Sequence, residues 1–178
     1  MNKLKMIPIT ITAAVTAAIL FGGWFAYNHY GIEKPLDKVA HSVPGVDSAS
    51  IDFSGSLVTV KVQLDPDADL GTVYRTIKRQ GASEIGGRKL ELLASGQSSE
   101  RLEQAWSYSL FDVAEAMENR HYSGVREAMA QMSQQFPGIV ATTDMDESNV
   151  YISMKDGESA KFVVLPRQPA TLGAWPNA

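Results

Sequence analysis

No cysteine occurs anywhere in this chain, and there are only three histidines. The missing cysteine excludes a disulfide framework, a thiolate metal cluster, a thiol nucleophile and a lipidated amino-terminal cysteine. It is compatible with an extracytoplasmic compartment but does not require one. His29, His41 and His121 include no pair at ligand spacing, so they read as locally hydrogen-bonded residues rather than zinc ligands. The chain also lacks a Gly-x-Ser-x-Gly nucleophile elbow and a phosphate-cradling glycine loop; Gly86-Gly87 stands without the surrounding pattern. Positive charge is not in excess: the net charge is -4, which argues against nonspecific nucleic-acid binding. The sequence therefore points to no catalytic residue, no cofactor and no metal, and a non-enzyme is expected.

What stands out instead is one uncharged run, Ile7 to Ala26. Crossing a bilayer as a helix takes about 20 apolar residues. Lys3 and Lys5 precede the run, and Trp24, Tyr27 and Tyr30 close it, where amphipathic rings suit an interface. A cleaved signal would require a small side chain where Trp24 stands. These features predict an uncleaved signal anchor over residues 1–30, with the lipid bilayer as a partner. The amino terminus would be cytoplasmic and the remainder extracytoplasmic. Thr10, Ala14, Ala18, Gly22 and Ala26 recur at every fourth position. Such a ridge lets helix backbones approach closely in lipid and predicts self-association of the membrane helix.

Beyond the run, 44% hydrophobic and 20% charged residues describe a folded chain rather than a disordered one. The patterning predicts an α+β fold of two small lobes with antiparallel hairpins. The first, residues 31–95, reads αββαβ. A helix carries Leu36, Val39, Ala40 and Val43 on one face and stops at Pro44-Gly45. Two strands follow, with Ala49, Ile51 and Phe53 in one and Val58, Val60, Val62 and Leu64 in the other. Asp69 is placed to cap a helix bearing Leu70, Val73, Tyr74 and Ile77, and Lys89 to Ala94 closes the lobe as a strand. The second lobe, residues 96–166, reads ααβββ. Ser99 caps a long helix whose stripe is Leu102, Trp106, Leu110, Val113 and Met117. A second helix carries Val125, Met129, Met132 and Phe136, and strands follow over 139–145, 149–154 and 160–165. Val60 and Trp106 are expected in the core. Residues 167–178 read as a disordered tail with Trp175 exposed.

Two charged clusters merit a ligand reading. Asp65, Asp67 and Asp69 open like a calcium loop, but Leu70 stands where glycine is required and Thr76 where a bidentate glutamate belongs. A solvated turn with a helix cap fits better. Arg75, Lys78 and Arg79 share a helix face, with Arg88 and Lys89 nearby. They form a basic contact face for anionic lipid or a wall polymer, or simply a solvated surface.

The segment KVAHSVPGVDSASIDF, with Gly45-Val46 after the helix, Ala49 and Ile51 in the strand and the alternating strand Val58 to Leu64, resembles ring-building-motif domains. These occur in bacterial flagellar and type III secretion membrane-ring proteins. The resemblance covers about residues 35–94. It implies a non-catalytic scaffold or assembly subunit of an envelope complex, associating with itself or with other envelope proteins. VPGVDSASIDF is also similar to metal-handling ferredoxin-like domains, whose function needs a Cys-x-x-Cys loop that is missing here. A similar hairpin occurs in alkaline-shock membrane-anchor proteins. The alternative from the residues themselves is a membrane-anchored wall- or ligand-binding protein, or an enzyme with an unrecognised site.

Overall fold

The computed structural model describes residues 6–26 and 34–167, with side chains described over 13–23 and 35–167. Lys3, Lys5, Tyr27, His29, Tyr30, the expected tail from residue 168 and the side chains of Thr10, Trp24 and Ala26 lie outside the described residues.

Helix α1 spans Met6–Ala26. The expected membrane anchor is corrected: among the described residues, no helix is long and apolar enough to cross a membrane. The described side chains of α1, residues 13–23, cover roughly 16 Å at ~1.5 Å per residue, about half of a ~30 Å hydrocarbon core. They include Thr16, Gly22 and Gly23, which add little apolar surface. The α+β fold therefore carries no assigned transmembrane helix, and the single-pass extracytoplasmic placement derived from one falls with it.

The first lobe comprises α2 (Lys34–His41), β1 (Val46–Ser54), β2 (Leu57–Leu64), α3 (Leu70–Gln80), α4 (Ala82–Ile85) and β3 (Lys89–Ser95). Its sheet order is β1-β2-β3. β1 and β2 form an antiparallel hairpin, whereas β2 and β3 are parallel. A parallel pair needs a crossover, and α3 with α4 supplies it. Val58, Val60, Val62 and Leu64 point to one face and are buried against Leu36, Ala40, Val73 and Ile77. The Asp69 side chain accepts the Thr72 N–H at 2.9 Å, capping α3.

The second lobe comprises α5 (Glu100–Glu118), α6 (Tyr122–Gln135), β4 (Val140–Met145), β5 (Asn149–Asp156) and β6 (Ser159–Pro166). It is an antiparallel meander, β4-β5-β6. Ser99 caps α5 by accepting the Leu102 N–H at 3.3 Å. The buried stripe of α5 is Leu102, Ala105, Ser109, Val113 and Ala116, rotated from the expected one. Trp106 is only partly buried and Leu110 is 42% exposed. Small residues won the inner face because α6 packs closely there. A Cβ added at Gly124 of α6 would lie 3.0 Å from the Ala116 Cβ. The buried Ser109 hydroxyl donates back to the carbonyls of Ala105 and Trp106, at 3.1 and 3.2 Å, so its polarity is satisfied.

β5 joins the lobes. Val150, Ile152 and Met154 face α5 and α6, while Tyr151 enters the core of the first lobe together with Ala160 and Phe162 of β6. The free edges of β3 and β6 meet nearby, where the Ala160 N–H donates to the Gln97 carbonyl at 3.0 Å. Gly96 makes this approach possible. A Cβ there would fall 2.6 Å from the Ala160 carbonyl oxygen and 2.9 Å from the Phe162 ring. Gly96→Ala is expected to destabilise the protein by about 1–3 kcal/mol, the cost of overpacking against backbone. Urea denaturation checks this; an unchanged midpoint would mean the junction yields freely.

Candidate functional site

Two surfaces have the makings of a site: a cleft between the lobes and an open sheet edge. The cleft measures about 570 Å³, within the range of small-molecule sites. α3 contributes Tyr74 and Lys78, the segment entering β3 contributes Arg88 and Lys89, the β4–β5 turn contributes Glu147 and Ser148, and the end of β6 contributes Arg167. The entry to β3 depends on Gly86, whose φ of 60° is a left-handed conformation that a side chain would strain.

Four cations, Lys78, Arg88, Lys89 and Arg167, therefore face one carboxylate, Glu147, in a chain whose net charge is -4. Among the described residues, none of the four is in an ion pair. Arg88 donates to the carbonyls of Glu84 and Ile85 at 3.3 and 3.4 Å and lies over the Phe53 ring. Lys78 lies 5.8 Å from the centre of the Tyr74 ring. Arg167 stacks over Tyr122 at 4.5 Å and donates to the Asp146 carbonyl. Its Nε is buried without a hydrogen-bond partner among the described residues.

The turn beneath the cleft is organised by Asp146. Its carboxylate accepts the N–H groups of Ser148 and Asn149 at 2.7 and 2.8 Å and the Tyr151 hydroxyl at 2.6 Å. Burial opposes the charged form, but the Tyr151 hydroxyl and the two N–H groups outweigh it and hold the Asp146 pKa below its ordinary value. Burial and then the Asp146 carboxylate push the Tyr151 phenol up, so it stays protonated and donates. A carboxylate with a depressed pKa adds stability that is present above its ordinary pKa of about 4 and is lost as pH falls through the folded value. Stability is thus expected to decline below about pH 4. Tyr151→Phe, which weakens this preference, should make the decline shallower when urea midpoints are compared across pH. An equal slope in both proteins would remove Asp146 from the acid response.

The basic residues singled out in the sequence divide. Arg75 turns away to Asp144 of β4, at 2.7 Å, in an exposed ion pair across the lobes. That bond holds the Asp144 pKa low and the Arg75 pKa high. Lys78 reaches the cleft, while Arg79 is exposed and does not line it. Arg167, assigned by sequence to the tail, also joins the cleft, and no local pattern marks it. The three aspartates are already engaged: Asp65 accepts the Asp67 N–H at 3.0 Å, Asp67 pairs with Lys155 of β5 in the other lobe, and Asp69 caps α3. Among the described residues, no three His, Cys, Asp or Glu side chains converge on a metal position. His41 bonds the Asp37 carbonyl at 2.9 Å, and His121 precedes α6 without capping it. Ala14, Ala18 and Gly22 are exposed on α1.

The second surface is β4. β3 and β6 close on each other, leaving β1 and β4 as the outer strands. β1 has a register irregularity between Val46 and Ser48 and carries Asp47 and Asp52, devices that discourage edge pairing. β4 has an unbroken register of partners to β5 and carries one acidic residue, Asp144, whose carboxylate accepts the Met145 N–H at 2.7 Å. Val140 is 61% and Met145 47% exposed at its two ends.

No protein-family model matches the chain, and no curated protein matches it. Among solved structures, the chain is similar to a type III secretion system protein, in keeping with the resemblance read from residues 35–94. That protein is EscJ of enteropathogenic E. coli, matched at 20% identity and a TM-score of 0.38 over 46% of this chain and 56% of EscJ. The chain thus spans little more than half the length of that structure. It is also similar to two variants of the MamM CTD, at 14% identity, with TM-scores of 0.30 and 0.31. Those matches cover 38% and 40% of this chain and 95% and 99% of theirs.

Proposed function

We propose that this protein is a non-catalytic assembly module that joins copies of itself by pairing the open edge of β4. The observation that carries this reading is the contrast between the two outer strands. β1 is broken in register and carries two aspartates, whereas β4 is regular, has its one aspartate, Asp144, paired with Arg75, and ends in the exposed apolar residues Val140 and Met145. An unpaired strand edge offers a row of backbone donors and acceptors to a second strand, and natural proteins guard such edges unless they are used. The exposed small residues Ala14, Ala18 and Gly22 of α1 give copies held this way a secondary helix–helix contact.

Val140 and Thr142 are both exposed, so lysines there should oppose edge pairing without disturbing the core. Light scattering coupled to size exclusion is expected to find an oligomer for the parent and a monomer for Val140→Lys with Thr142→Lys, with equal circular dichroism. A monomeric parent, or an oligomer untouched by the double variant, would overturn this assignment.

A further inference from the structure

We infer that the inter-lobe cleft is a binding site for a phosphate-bearing anion, recognised by Lys78, Arg88, Lys89 and Arg167. Three independent observations converge on it. The four cations line one cleft of about 570 Å³ whose lining holds one carboxylate, Glu147, while the Asp146 carboxylate acts on Lys78 from beneath. Among the described residues, none of them has an ion-pair partner. The Arg167 Nε is buried with no acceptor among the described residues, and a buried donor of this kind is normally satisfied. Concentrating like charges in a partly enclosed site is unfavourable by itself and is relieved by a bound anion.

The chemistry selects the class of anion. Guanidinium groups donate in a planar fork that matches phosphate oxygens, and lysine ammonium groups add mobile point charges. Tyr74, Ile85 and Leu90 give the same cleft an apolar wall, suited to the organic part of a phosphate ester. Arg167 meets Asp146 through the backbone carbonyl, while the Asp146 carboxylate accepts from Ser148, Asn149 and Tyr151. The shared chemistry, a phosphate group with an apolar attachment, is found both in soluble phosphate esters and in phospholipid headgroups.

Isothermal titration calorimetry with inorganic pyrophosphate tests the site on the full chain. Binding is expected, weakening as salt rises. Lys78→Glu with Lys89→Glu should reduce affinity about tenfold or more, the scale of losing two charge-assisted contacts. Arg167→Gln should weaken it in the same direction. Arg79→Glu, on the same helix but outside the cleft, should leave affinity unchanged; circular dichroism and urea midpoints establish that each variant is folded. Citrate separates phosphate recognition from simple charge and is expected to compete poorly. Phosphatidylglycerol vesicles separate the sources. Vesicle binding displaced by pyrophosphate and lost in the double variant identifies a headgroup site, and pyrophosphate binding without vesicle binding identifies a soluble ester site. Either supports the inference. It is overturned if pyrophosphate gives no binding, if Arg79→Glu weakens binding as much as the cleft variants, if citrate competes equally, or if vesicles bind without pyrophosphate competition.

Discussion

Tyr151→Ala is expected to destabilise the protein by about 3–5 kcal/mol, the range for removing a fully buried aromatic ring. Tyr151 is 1% exposed and stands where the lobes meet. Its ring lies 5.5 Å from that of Tyr74, tilted by 47°, an arrangement that adds to the burial of both rings. Its hydroxyl donates to Asp146 and accepts from the Asn149 amide at 3.2 Å. Tyr151→Phe keeps the ring and should lose only about 1 kcal/mol, the net value of a hydrogen bond. Chemical denaturation distinguishes the two. If the lobes fold as one unit through this residue, the alanine variant retains a single transition. Two separated transitions, with the second unchanged in midpoint, would mean the lobes are independent and the shared core contributes little.

Ile152→Ala should cost about 2–5 kcal/mol, for a different reason. Ile152 is the next residue on β5, so it points to the opposite face. It is fully buried, among Leu102, Val113, Val125 and Met132 of the helix pair. No polar group accompanies it, so the loss is transfer energy plus the cavity left behind, which packed helices close only in part. Hydrogen exchange gives a second readout: α5 and α6 should lose protection together. A loss below about 1 kcal/mol would show that α5 and α6 collapse onto the gap.

These two neighbours show what was legible in advance and what was not. The strand from 149 to 154 was evident from its apolar content, but a strand buried on both faces has no polar side to reveal which residues serve which core. That Tyr151 belongs to the first lobe follows from the meeting of the lobes. The same kind of ambiguity governed α5. Its sequence offers two helical stripes, one through Trp106, Leu110 and Met117 and one through Ala105, Ser109 and Ala116. Hydrophobic content favours the first, but the chosen face is the one that lets α6 approach. A periodicity rule weighs apolarity alone, whereas helix packing also rewards small size.

The candidate site divides in a similar way. Lys78, Arg88 and Lys89 stand close enough in sequence to be noticed, but nothing local separates Lys78 from its neighbour Arg75. Asp144 makes that separation from the other lobe, and Arg167 reaches the cleft from the far end of the second sheet. Clusters assembled from distant segments leave no spacing to read.

The sequence by itself determined the order of helices and strands after residue 34 apart from the short helix α4, Ala82–Ile85, together with the alternating first hairpin, the caps at Asp69 and Ser99 and the absence of thiol chemistry. All of these depend on interactions within a few residues, or on composition. Tertiary structure alone decided the parallel pairing of β2 with β3, the face of α5, the double burial of β5, the contrast between the outer strands and the gathering of four cations in one cleft. Each depends on which distant surfaces meet, because packing and charge act through space while sequence patterns record only neighbours along the chain.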